Sequence, residues 1–449
     1  MSGVTADASH ERERVRVAEV VAALSLATDL GIGVPVEHGL HSTLFAMRLC
    51  ERLGVEPQTA SETYYACLLF YVGCTAGAEI AAELFGSDDA LMRYAGPVRF
   101  GSRRELAAGF MRAVAPPGAP RPARAVQLVR GLPRAARALD SHVVAQCEVG
   151  QMLTDRLGVH ASVRELFWYL TERWDGKGQP RRVKGEEIPL PVRIVHVARD
   201  AALQRMLGGD EFAARVVLDR AGGAFDPEIA ERLAVEAGEI LGLADDGSLW
   251  GRALACEPAP RLMLEGEAID RALAAMGDFA DLASSFLVGH SEGVAELAGA
   301  AAQHAGLAPP DVRATRRAGF VHDVGRVAIP VRIWQKPAPL TTDEWEQVRL
   351  HAYHSERVLL RSEFLARLAP IATAHHERLD GSGAAPGDGL QGRLAHPCLD
   401  GHRWRVGRQG HLERVGHRPH ELHRRRQRPG RGGRGAGQRG TPQRGVQHV

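Results

Sequence analysis

The chain has 449 residues, enough for two or three domains with sizeable cores, and its 45% hydrophobic but only 5% aromatic content suits packed helices built from Ala, Leu and Val better than β-sandwiches. The formal net charge of +2 hides an asymmetry: from Ala384 onward stand 14 Arg and 4 acidic residues, about +10, which leaves the rest of the chain near −8. No run reaches the ~20 apolar residues of a membrane span, MSGVTADASHERERVRV carries no apolar signal core, and the six cysteines form no CxxC pair, so a cytoplasmic protein with no membrane partner and no zinc knuckle is expected.

Residues 11–30 read as an amphipathic helix, with Val15, Val17, Val20, Val21 and Leu24 near helical spacing. Similar patterns recur at 40–54, 62–85, 126–157 and 268–305, and almost nothing alternates with period two. The expected fold class is all-α. Residues 113–125 read as a Pro-rich loop and 244–266 as a linker, which separates a first helical domain (1–243) from a second (267–383).

Three pairs of segments recur in the same order. VEHGLHSTLFAMRLCERLGV (36–55) resembles LVGHSEGVAELAGAAAQHAGL (287–307), ACLLFYVGCTA (66–76) resembles AGFVHDVGRVA (318–328), and LTERWDGKGQP (170–180) resembles HHERLDGSGAAP (375–386). A tandem duplication accounts for this, with both units sharing a helical fold and differing in chemistry.

The chemistry concentrates in the second unit: His290, His322, Asp323, His351, His375 and His376. Imidazole is a common ligand for transition metals, and a carboxylate can bridge two of them. Adjacent His322–Asp323 and His375–His376 point apart on a helix and can serve two cations, an arrangement suited to phosphate-ester hydrolysis. Isolated histidines such as His304 and His354 read as surface or packing residues instead.

The stretch GFVHDVGRVAIPVRIWQKPAPLTTDEWEQVRLHAYHSERVLL, followed by HHERLDGSG, closely resembles the HD-GYP family of bacterial phosphohydrolases. The clear match covers 286–383, and a degenerate copy extends to roughly 36–235. The resemblance implies hydrolysis of a cyclic dinucleotide, cyclic di-GMP or a relative, by two divalent metal ions, with iron or manganese favoured and zinc the alternative. It makes His290 a ligand of the first metal, His322 and Asp323 the metal-binding HD pair with Asp323 the expected bridge and a catalytic residue, and His351, His375 and His376 ligands of the second. Arg326, where the family has a phosphate-contacting lysine, and Lys336 are implied to bind substrate, and Arg326 is also implied as catalytic. Phe286 stands where some members have a glutamate for a third metal, so two metals are expected. A homodimer is a further expectation, and a non-catalytic nucleotide sensor is the alternative function.

In the first unit the HD pair becomes Phe70–Tyr71, the HH pair becomes Leu170–Thr171, Cys74 replaces Arg326, and Arg199 falls at the family's distal aspartate. His41 reads as the surviving ligand, with His142 an uncertain match to His351. This unit is expected to be scaffold rather than enzyme. In the second unit Ala384–Ala385 replace the Tyr-Pro of the GYP signature, and no distal RI…AD helix follows. Residues 384–449 turn Arg- and Gly-rich, as in HRRRQRPGRGGRGAGQRG, a composition that cannot bury enough apolar surface to fold alone. The break is read as a shifted reading frame in a GC-rich gene that truncates the second domain. A disordered basic arm binding nucleic-acid phosphates is the alternative.

Overall fold

The computed structural model describes residues 13–378, apart from 86, 88–89, 119 and 244–247 and the side chains of 136–140, and the backbone of 403–406 and 412–415. Two units result, Met1–Asp388 and Gly389–Val449. In the second, strands Arg403–Val406 and Leu412–Val415 pair antiparallel. That departs from an unstructured arm, and RWRV and LERV do have strand-compatible sequences. The rest of the basic tail, Asp380-Gly381-Ser382-Gly383, Ala384–Ala385, Asp388 and Asp400 lie outside the described residues.

The first unit is built from helices in two series. The first comprises strand β1 (Arg14–Arg16), α1 (Val17–Ile32), α2 (His38–Leu53), α3 (Pro57–Leu68), a 3-10 turn Val72–Gly77, the long α4 (Arg121–Arg156) and α5 (Leu190–Gly208). The second comprises β2 (Met263–Glu265), α6 (Glu267–Asp281), α7 (His290–His304), α8 (Pro309–Val321), a 3-10 turn Val324–Ala328, α9 (Thr342–Leu359) and α10 (Glu363–Ala372). The two series run through the same order of elements.

Two expected helices are broken, and the breaks matter. The pattern at 62–85 divides at Leu69–Tyr71, and that at 268–305 divides at 282–289, where Gly289 at φ 79° lets the chain re-enter a helix at His290. Residues 57–85 are long and apolar enough in composition to cross a membrane, yet the segment is not one continuous helix and it packs within the helical core.

The halves are interleaved rather than separated by a linker. β1 and β2, each preceding the first helix of its half, pair antiparallel with Val15 opposite Leu264. Within the expected linker, Leu249–Ala255 is a helix packed on α2, and buried Glu257 receives hydrogen bonds from Arg16 and from Tyr65 Oη (2.7 Å). α1 packs on the second half's 3-10 turn and α9, and Ser362 Oγ donates to Glu19 across the halves at 2.7 Å. One hydrophobic cluster contains Val20 and Leu24 of α1, Leu273 and Phe279 of α6, and Val324 and Leu365. Burying α1 on both sides explains why most of its residues are apolar.

Candidate metal centre

Four elements deliver the second half's six candidate ligands. α7 begins at His290, α8 runs into His322–Asp323, α9 carries His351, and the end of the α10 segment supplies His375 and His376. α9 starts with a capping box in which Thr341 and Glu344 satisfy each other's backbone N–H. At the HD turn a Cβ on Gly325 would lie 2.1 Å from the Ser355 nitrogen, so only glycine permits α9 to approach. Ser355 Oγ accepts from Gly325 N at 2.9 Å and donates to the His322 carbonyl at 2.8 Å, which clamps the turn.

Asp323 stands at the centre. Its Oδ2 faces His290 Nε2 at 3.6 Å and His322 Nε2 at 3.3 Å, and its Oδ1 faces His351 Nε2 at 3.5 Å and His375 Nε2 at 3.6 Å. His376 Nε2 lies 3.1 Å from His351 Nε2. Two triads result, His290–His322–Asp323 and His351–His375–His376, with the donors of each triad within 4.8 Å of one another.

The imidazoles are oriented for cations. Nδ1 of His322, His351 and His375 donates to the carbonyls of Gly319, Val348 and Ala372 at 2.8, 2.5 and 2.7 Å. In the neutral rings Nε2 therefore carries a lone pair, and those of His351 and His375 stand 3.2 Å apart. Unprotonated nitrogens so close repel unless a cation lies among them, so the donor set fits metal ions. Burial pushes the His375 pKa down to about 4 and lowers that of His376, which keeps both in the ligand form. Burial alone would raise the Asp323 pKa, but the imidazoles of His290 and His322 that face it hold it well below the usual carboxylate range.

Arg326 is one turn from Asp323, with Nη1 3.2 Å from Oδ2 and its guanidinium 3.8 Å from the Trp334 ring centroid. Lys336, expected at the substrate, is placed differently: its ammonium pairs with capping Glu344 at 2.5 Å. Phe286 is 90% exposed in the loop before His290. Sequence reasoning missed Ser355, Trp334 and Asp281, whose carboxylate accepts from Ser291 N and Oγ at 2.8 Å and anchors the start of α7. A signal existed for the last, because Asp29 takes Gly39 N at the same ten-residue spacing in the first half.

The first half corrects two matches. α2 begins at His38 as α7 begins at His290, so His38 rather than His41 is the equivalent histidine. Its Nε2 donates to the Arg199 carbonyl at 3.1 Å and is not free to ligate. A Cβ on Gly73 would strike the Gln146 carbonyl as one on Gly325 strikes that of His351, so Gln146 stands at the His351 position and His142 lies one turn away. Buried Arg199 bonds Tyr71 Oη and packs among Phe70, Tyr71 and Phe100 at 4.8–5.4 Å. A fixed guanidinium thus occupies the heart of the degenerate site.

The HD domain family matches residues 138–228 and 275–394, one segment in each half. The chain is 28% identical over 375 residues to a 3'3'-cGAMP-specific phosphodiesterase of Vibrio cholerae, covering 82% of this chain and 80% of that protein. It is 41% identical over 96 residues to a cyclic di-GMP phosphodiesterase of Thermotoga maritima, covering 21% of this chain and 26% of that one. The crystal structure of a cyclic GMP-AMP-specific phosphodiesterase of V. cholerae superposes with a TM-score of 0.58 at 24% identity, covering 81% of this chain and 84% of that one, which shows a shared fold.

Proposed function

We propose, from the match of a segment in each half to the HD domain family, that the chain is a phosphohydrolase of HD-GYP type whose second half hydrolyses a phosphodiester bond of a cyclic dinucleotide, cyclic di-GMP or 3'3'-cGAMP. The observation that carries the reading is Asp323, whose two oxygens face different sets of imidazoles.

His290 and His322, with one Asp323 oxygen, would hold the first of two cations; His351, His375 and His376, with the other oxygen, would hold the second. Imidazole with carboxylate suits iron or manganese, with zinc the alternative. When bound, such a pair polarises phosphoryl oxygens and lowers the pKa of water towards neutrality. The backbone carbonyls behind His322, His351 and His375 fix the ring orientations, so the donors need little reorganisation. Arg326, stacked on Trp334, presents N–H donors beside Asp323 and would bind the phosphate oxygens as a fork. His375 and His376 are partly exposed at the edge of the cluster, so a bulky substrate can reach the ligands from that side.

The test is metal content per chain together with hydrolysis of both cyclic dinucleotides, for the unaltered chain beside Asp323→Ala. About two metals with turnover, both lost in the variant, is the expected result. A chain that binds no metal and turns over neither nucleotide would sink the proposal.

A further inference from the structure

The first half contains a cavity of about 1030 Å³. Its wall includes Cys74, Gln146 and Thr171, the residues at the positions of Arg326, His351 and His376. The cavity therefore borders the position that the metal centre takes in the second half, whose counterpart here is filled by Arg199. It is larger than most closed polar sites and at the upper end of small-molecule pockets.

Its chemistry is specific. Five cations line it, Arg99, Arg103, Arg173, Lys177 and Arg182, with no acidic residue among the described lining residues. They come from two separate segments, 99–103 and 173–182. Asp175 partly neutralises Arg173 and Lys177, at 3.1 and 3.0 Å. Arg99 lies 5.8 Å over the Phe70 ring, and Arg103 and Arg182 are exposed. The rest of the wall mixes apolar side chains, Phe110, Leu106 and Met92 among them, with the polar His142, Gln146, Thr171 and Gln179. A ligand matching this wall carries more than one anionic group and flat apolar rings, which a single-headed acyl anion does not.

We infer that the first half is a non-hydrolytic binding site for a cyclic dinucleotide, its phosphates meeting the two groups of arginines and its bases the aromatic and guanidinium faces. The nucleotide class rests on the proposed function; the anion site itself does not. The cavity also bears on the catalytic half. Val327, the residue after Arg326, lines it, and a Cβ on Gly31 of α1 would lie 3.1 Å from Val327. A bound ligand would press on the turn that carries Arg326, which makes the site regulatory.

The experiment is equilibrium dialysis of cyclic di-GMP and 3'3'-cGAMP against the full chain carrying Asp323→Ala. One nucleotide should bind per chain and be recovered intact. Adding Arg103→Glu with Arg182→Glu should weaken binding at least about tenfold. Ala107→Trp, which fills the cavity and leaves its charge alone, should do the same. No saturable binding, or binding indifferent to both sets of changes, overturns the inference. Binding here with no hydrolysis by the unaltered chain would sink the proposed function alone.

Discussion

His351 and His376 hold their Nε2 atoms 3.1 Å apart, while His351 Nδ1 is tied to the Val348 carbonyl. That carbonyl can only accept, so the neutral His351 ring presents a lone pair to its neighbour. In its Nε2–H tautomer His376 donates a hydrogen bond to that lone pair, and a cation in the same place would draw on the lone pairs of both rings. His376→Ala is therefore expected to lower metal content to about one per chain and to abolish hydrolysis, whereas Asp323→Ala loses both metals. Elemental analysis of the two variants side by side distinguishes them; equal metal content would contradict the bridging role of Asp323.

Arg326 acts next to the cations rather than on them. Arg326→Ala should leave metal content unchanged and lower kcat/KM by roughly two orders of magnitude, the usual cost of one charge-stabilising donor. Arg326→Lys should recover part of this, and Trp334→Ala, which frees the guanidinium, should fall between the two. A loss of metal in Arg326→Ala would mean that the arginine supports Asp323 instead of substrate.

In the first half, Arg199 is 1% exposed, and its Nε and Nη2 have no hydrogen-bond partner. A buried cation without a full set of partners contributes little net stability, and its van der Waals bulk is the useful part. Arg199→Met is expected to change the unfolding free energy by less than about 2 kcal/mol. Arg199→Ala should cost about 3 kcal/mol or more through the cavity it leaves. Denaturant melts measure both; a large loss in the methionine variant would show that the bond to Tyr71 carries the stability.

His38 and His196 are buried, and burial pushes the pKa of each down to about 3. Each Nε2 donates to a carbonyl at 3.1 Å, of Arg199 and Leu170. Below about pH 6.5 the unfolded chain takes up protons that the folded chain refuses. Their contribution is thus fully present above pH ~6.5 and is lost as pH falls towards 3, at roughly 1.4 kcal/mol per pH unit for each histidine. His196→Phe should flatten the stability curve between about pH 4 and 6 by one proton's worth. An unchanged slope would place the protonation elsewhere.

Much of this site was legible beforehand because its information is local. The HD and HH pairs and the glycine after the HD pair each act over a few residues, so the order of motifs already implied six candidate ligands and a helical fold. Matches that depend on helix phase were less secure. His38 takes the place expected of His41, and the open match of His142 is decided against it, because one helical turn offers several candidates and only packing distances, such as Gly73 against Gln146, decide the register. Lys336 looked available in sequence but pairs with Glu344 once α9 forms.

By itself, then, the sequence determined the all-helical class and a set of six candidate ligands, because composition, periodicity and short motifs are written along the chain. The tertiary structure alone decided that α1 belongs to both halves, that one carboxylate faces two histidine groups, and that Arg199 fills the degenerate centre while a basic cavity stays open beside it. Those are relations between residues tens to hundreds of positions apart, and only burial of the shared apolar core brings them together.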